Sequence, residues 1–171
     1  MDTDVRLAGP GDLDGLPAIE NSGDPLFAEL GIVFGPGPTV IEKLRGTGAE
    51  VLVAGRPPVG FAATSPVDGA VHLEQISVRA DLVRRGIGGR LLRAVIARAA
   101  AAGAPGVSLL TFRDVPFNGP WYAAHGFAVL PAERWGPGLR GYRGAEAAEG
   151  LDRLGARQVM WRPTAPGDAA R

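Results

Sequence analysis

Cysteine is absent from the 171-residue chain. That excludes a disulfide framework, a zinc ribbon and a thiol nucleophile. Histidine occurs twice, at His72 and His125, too far apart in sequence to suggest a metal cluster, and no bound metal is expected. Lysine occurs once, at Lys43, so the 18 basic side chains are otherwise all arginine. A biased genomic base composition produces that pattern without any functional reason. An excess of one charge is also missing, because 18 acidic side chains cancel the 18 basic ones. Bulk attraction to nucleic acid is therefore not expected. No run of about 18 apolar residues exists, so no membrane span is expected. The opening residues MDTDVRL are acidic and poor in apolar side chains, unlike a secretory leader, and a cytoplasmic location is expected.

What is present suffices for a core. Hydrophobic residues make up 46% of the chain, and a chain of this length buries about two-thirds of its unfolded surface as one domain. Glycine, with 26 residues, and proline, with 15, approach the level at which low complexity is suspected. Their dispersal between apolar runs argues against a disordered chain. A single domain is expected over residues 1–162. The stretch PTAPGDAAR from Pro163 reads as a flexible C-terminal tail expected to fray.

The elements follow from periodicity and turn chemistry. Val5 to Ala8 reads as a short strand. Asp12 is placed to cap a helix running to about Glu20, with Pro17 inside its first two turns. Pro25 to Leu30 reads as a further short helical turn. Thr39, after the loop GPGP, caps a helix to Leu44. Three β-rich runs then follow with two short turns between them: AEVLVAG to Gly55, VGFAATS from Val59, and AVHLEQISV to Val78. They predict an antiparallel meander. After RADLVRRGIGG, Leu91, Leu92, Val95, Ile96 and Ala99 make one apolar stripe with Arg90 and Arg93 opposite, which predicts a long helix ending at Gly103. VSLLTF reads as a buried strand, NGPWYAAHG as a short helix, FAVL as a strand, Glu146 to Leu154 as helical, and QVMWR as a last strand. The class is mixed α/β, or α+β, with a meander followed by strand–helix–strand units.

The most informative stretch is Arg84-Arg85-Gly86-Ile87-Gly88-Gly89-Arg90, between a strand end and a helix start. A helix N-terminus leaves N–H groups unpaired and carries partial positive charge. Glycines let a bulky anion approach the backbone. The stretch can therefore cradle a phosphate, or it can be an ordinary glycine-rich connection. It lacks the third glycine of a dinucleotide fingerprint, since position 91 is Leu, and the Gly-Lys-Ser/Thr of a P-loop. GVSLL around Ser108 likewise fails Gly-x-Ser-x-Gly, so no serine-hydrolase elbow is supported.

With these residues in view, the sequence resembles the GNAT superfamily of acetyl-CoA-dependent N-acyltransferases, and its small-molecule branch in particular. Gly86 and Gly88 match the glycines of that family's pyrophosphate loop, Gln/Arg-x-x-Gly-x-Gly/Ala, while Val83 departs from its first position. LEQISV before the loop and Tyr122-x-x-x-Gly126-Phe127 after the next strand complete the resemblance, which covers Ala49 to about Leu130. It implies a mixed central sheet with a splayed strand pair, flanked by helices. It also implies an acetyl-CoA co-substrate. Main-chain groups of Ile76, Ser77 and Val78 would meet its pantetheine arm as an added strand. The Ile76 N–H would polarise the thioester carbonyl. Main-chain amides from Arg84, Arg85, Gly86, Ile87, Gly88 and Gly89 would hold the pyrophosphate, with Arg90 at the rim and Asn118 as a further cofactor contact.

The resemblance also implies an acid and a base. Glu74 and His72 sit two apart and so share a face of an ideal strand. Glu74 is the candidate general base, His72 the alternative, and a purely structural carboxylate the third reading. Tyr122 matches the family tyrosine near the sulfur and is the candidate acid, or else a core aromatic beside Trp121. Glu20, Asp24 and Glu29 with Phe27 and Phe34 can form an acidic, aromatic recess for a cationic amine, or a solvated helix face over core. Trp121, Trp135 and Tyr142 are candidates for the opposite wall, against plain core packing. The implied reaction is acetyl transfer to a small-molecule primary amine. The alternative is a non-catalytic acyl-CoA-binding module of the same fold. A homodimer is compatible with the family.

Overall fold

The computed structural model describes residues 3–169. A seven-stranded mixed sheet runs through it in the order β1-β2-β3-β4-β5-β7-β6. The strands are β1 (Val5–Leu7), β2 (Glu50–Ala54), β3 (Gly60–Val67), β4 (Ala70–Val78), β5 (Gly106–Phe112), β6 (Ala128–Val129) and β7 (Arg157–Pro163). The helices are α1 (Leu16–Asn21), α2 (Asp24–Ala28), α3 (Val40–Lys43), α4 (Ile87–Ala101), α5 (Gly119–Ala124) and α6 (Pro137–Ala148). Among the described residues, no helix is long and apolar enough to cross a membrane.

The expected meander is present. β2, β3 and β4 pair antiparallel, and the tight turn between β3 and β4 is made by Asp68 and Gly69, both at positive φ. The stripe of the long helix is wholly buried: Leu91, Leu92, Val95, Ile96 and Ala99 are all at most 6% exposed. It packs on one sheet face with Leu52, Ala54, Ala62 and Leu73. Alternation along the strands sends Val53, Phe61 and Ala63 to the other face, where they meet Leu16 and Ile19 of α1 and Ile41 of α3.

Two expectations are corrected. Residues Pro10–Gly15 form a 3₁₀ turn, and α1 begins only at Leu16. Asp12 accepts from the Gly9 amide at 2.7 Å and from Arg6, so it closes the earlier turn. Pro17 then lies in the first turn of α1, where a missing N–H costs nothing. The helix read over Glu146 to Leu154 in fact starts at Pro137 and ends at Ala148. Its three interior glycines weaken the pattern, but a carboxylate from the β3–β4 turn caps it: Asp68 accepts from the Gly138 and Leu139 amides at 2.7 and 2.9 Å.

The stretch after Pro163 bonds back to the body. The Thr164 amide donates to the Pro105 carbonyl at 3.1 Å, and Arg162 pairs with Asp168 through two bonds of 3.1 Å.

Candidate active site

The site begins where two parallel strands part. β4 and β5 pair at only three positions, Val71 with Val107, His72 with Ser108 and Leu73 with Leu109. Beyond Leu73, β4 runs on to Val78 and β5 to Phe112 without pairing to each other, and β5 instead continues its ladder with β7. Every residue of β4 from Glu74 to Val78 is only half-buried, as expected of a strand whose neighbour has turned away.

A bulge sits at the apex of the gap. Ala63 pairs with Gln75 while Thr64 pairs with Leu73, which leaves Glu74 as the extra residue. The ladder also fixes what β4 offers to the gap. Arg79 donates its N–H to the Val59 carbonyl at 2.8 Å. In an antiparallel ladder alternate residues turn their main-chain groups to the partner strand. Arg79 and Ser77 therefore face β3, and Ile76 and Val78 turn their N–H and C=O groups toward the gap. The Ser77 hydroxyl accepts from Gln75 at 3.0 Å.

The loop before α4 provides the second part. Arg84 and Gly86 both take positive φ, +62° and +78°, and Gly86 is the N-cap of α4 with no side chain capping the first turn. The amides of Ile87, Gly88 and Gly89 thus point out of the 15-residue helix without a side-chain acceptor. A Cβ on Gly86 would meet nothing within 4 Å, so the space over the loop is open. Arg84 and Arg85 are exposed and form no ion pair among the described residues. Arg90 donates to the Thr3 hydroxyl at 2.5 Å.

α5 forms the opposite lip of this notch. A Cβ on Gly88 would lie 3.5 Å from the Trp121 ring and 3.8 Å from Val78, so Trp121 stands beside the loop on the α4 side of the sheet. It stacks on His125 with centroids 4.3 Å apart. Tyr122 is buried among the α4-side core residues, 5.7 Å from the Phe127 ring. Burial pushes its phenol pKa up, against the opposing pull of Arg157. Among the described residues none hydrogen-bonds its hydroxyl. Asn118 is the N-cap of α5, and its side chain makes no capping bond.

The other sheet face carries the remaining groups. Glu74 accepts a hydrogen bond from the Tyr142 hydroxyl of α6. The Tyr142 ring lies against His72, with centroids 4.5 Å apart. His72 is 2% exposed, and its Nδ1 is 2.8 Å from Ser108 Oγ on β5. Burial lowers the His72 pKa to about 4, so the ring is neutral at pH 7. Next along this face, Arg157 stacks 4.4 Å above the Phe112 ring and makes a two-bond ion pair with Glu146.

The structure thus brings His72 and Glu74 together but separates other expected neighbours. Trp121 lies on the opposite side of the sheet from His72. The Glu20 carboxylate accepts from the Val40 and Ile41 amides at 2.7 and 3.0 Å, committed to the start of α3. Phe27 belongs to an aromatic cluster with Phe34, Phe117 and Phe112 at centroid separations of 5.1, 4.9 and 6.0 Å. The Tyr142–Glu74 bond and the Arg157–Glu146 pair escaped sequence reasoning. Both depend on α6, whose start at Pro137 was passed over because glycines at 138, 141 and 144 break up the helical pattern that follows it. Among the described residues, no three His, Cys, Asp or Glu side chains converge on a metal position.

Residues 47–129 match the family model for the acetyltransferase (GNAT) domain. Solved structures share the architecture. A GNAT-family acetyltransferase from Staphylococcus aureus Mu50 superposes with a TM-score of 0.71 at 14% identity, over 95% of this chain and 99% of that one. The ribosomal-protein-S18-alanine N-acetyltransferase of Escherichia coli gives 0.66 at 16% identity, over 95% and 94%. A GNAT-family acetyltransferase from Brucella melitensis, solved in complex with acetyl-CoA, gives 0.57 at 25% identity, over 74% and 82%.

Proposed function

The chain carries an acetyltransferase domain of the GNAT superfamily, and from that premise we propose that it transfers the acetyl group of acetyl-CoA to a small-molecule primary amine by direct attack. The observation that carries this reading is the parting of β4 and β5 immediately after Leu73, with Glu74 bulged at the apex. An extended arm with amide groups fits such a gap as an added strand, bonded to the free main chain of Ile76 and Val78. Ser77 turns away and would contribute through shape. The unpaired amides of Ile87, Gly88 and Gly89 suit the pyrophosphate, with Arg84 and Arg85 close by in sequence and Arg90 and Asn118 at the rim.

The acceptor must lose a proton to become nucleophilic. A primary amine of pKa about 10.4 is neutral in roughly one molecule in 2,500 at pH 7, a handicap of about 4.6 kcal/mol. Glu74 would take that proton, directly or through water, and a positioned base is worth about 10²–10⁴-fold in rate. The amine nitrogen bonds to the acetyl carbon, whose oxygen the Ile76 N–H would hold. As the carbon–sulfur bond breaks, the Tyr122 phenol would give its proton to the leaving thiolate. Burial keeps that phenol protonated, and among the described residues nothing else hydrogen-bonds it, so its proton is available to the thiolate. No covalent enzyme intermediate is needed. α6 lies over Glu74 through Tyr142, which favours a covered pocket for a small acceptor over an open peptide groove.

The test is thiol release from acetyl-CoA with benzylamine, tyramine, spermidine, lysine methyl ester and a peptide with a free N-terminus. Amine-dependent release that Glu74→Gln slows at pH 7, and that recovers in part at pH 9, is expected. CoA binding with no amine-dependent release would leave a non-catalytic binding module. A Glu74→Gln rate equal to wild type across that range would remove Glu74 as the base.

A further inference from the structure

Glu74 occupies the bulge, and a bulged residue has no partner in the ladder to fix its direction. Its side chain has three rotatable bonds. Among the described residues, the only group that hydrogen-bonds its carboxylate is the Tyr142 hydroxyl, on Oε1. Tyr142 lies 68 positions further along the chain, on a helix that the sequence pattern does not announce. Its own position is determined from several sides. Leu139, one turn earlier on α6, is buried with Val67, Leu130 and Val159, and Tyr142 packs against the same cluster. Its ring rests on His72. His72 in turn is bound to Ser108, so one chain of contacts runs from β5 through β4 to the phenol. The start of α6 is fixed by Asp68.

We propose that Tyr142 is a positioning residue that holds Oε1 of Glu74 and leaves Oε2 to take the proton of the acceptor amine. The proposal rests on the reading of Glu74 as the base. It assigns to α6 a part in the reaction beyond covering the sheet. The phenol acts as donor throughout the cycle, because burial and the adjoining carboxylate both keep its proton on. The neighbouring charges do not compete for the carboxylate: His72 is neutral, and Glu146, one turn on, is already paired with Arg157.

The experiment is a double-mutant cycle with Tyr142→Phe, Glu74→Gln and the pair, read as amine-dependent thiol release with the fastest amine of the panel above. Tyr142→Phe keeps the ring and its packing on His72. It is expected to lower kcat about tenfold, since small losses of alignment carry costs of that order or more, while KM for acetyl-CoA stays unchanged. In the Glu74→Gln background the same change should cost nothing further, because the oriented base is already gone. Wild-type kcat for Tyr142→Phe beside a slow Glu74→Gln would overturn the proposal and leave the base in place. An equal loss from Tyr142→Phe in both backgrounds would also overturn it, by showing a structural effect independent of Glu74. Full activity of Glu74→Gln would instead remove the base itself, and the proposal with it.

Discussion

Asp68 and Leu139 are 71 positions apart, yet the carboxylate of the first accepts the amide proton of the second at 2.9 Å. The other oxygen accepts from Gly138 at 2.7 Å. A carboxylate on the first amides of a helix satisfies orphan donors and opposes the helix dipole. A twelve-residue helix with glycine at 138, 141 and 144 is thereby fixed over the candidate site. Gly136 and Gly138 also leave room for the carboxylate, since a Cβ on either would lie within 3 Å of Asp68. Asp68→Ala is expected to cost about 1–2 kcal/mol, measured by urea denaturation. Asp68→Asn should cost less, because asparagine also caps and tolerates the positive φ found here. Equal stability of Asp68→Ala and wild type would show that α6 does not need this cap.

Burial of His72 makes stability depend on pH. Its folded pKa, near 4, lies below the ordinary value of 6.5, so the unfolded chain binds the proton more readily between those values. The contribution is complete above pH 6.5 and is lost as pH falls toward 4, amounting to about 3 kcal/mol over the window. Denaturation midpoints measured from pH 7 to pH 4.5 should fall more steeply for wild type than for His72→Asn, which cannot titrate. Parallel curves would mean that the ring is not buried neutral.

Tyr122→Phe removes only a hydroxyl that no described residue engages. If the phenol serves the leaving thiolate, kcat should fall by about 10²-fold with little change in acetyl-CoA affinity. A loss seen in KM alone would assign the hydroxyl to binding.

Gly88 faces Trp121 across the notch at ordinary contact distance, and its amide is one of the uncapped donors of α4. Gly88→Glu should weaken CoA binding by tenfold or more, because it adds bulk and like charge beside the phosphates; a charge near a helix end is itself worth about 0.3–2 kcal/mol. An isothermal titration with unchanged affinity would locate the nucleotide elsewhere.

Much of the fold was legible because it rests on short-range patterns. The β2–β3–β4 meander followed from alternation and two tight turns. α4 followed from the stripe Leu91, Leu92, Val95, Ile96 and Ala99, all of which are buried. Thr39 was legible as a cap, and the structure gives it the reciprocal bonds with Glu42. Residue pairs joined across the sheet were not legible. Glu20 looked like a pocket acid because nothing local shows the α3 amides it binds. Asp12 looked like the first residue of a helix because the competing partners, Gly9 and Arg6, precede it.

Local sequence determined which segments form strands or helices and where a glycine-rich turn leaves helix amides bare, because steric preference and side-chain period act within a few residues. The parting of β4 and β5 was implied only by the family resemblance, and tertiary structure alone decided that it falls after Leu73 and that Glu74 becomes the bulged residue. It also decided that Tyr142 reaches Glu74 from a helix capped by a distant turn. Those outcomes depend on which faces meet once the core has packed, and no short stretch of chain carries that information.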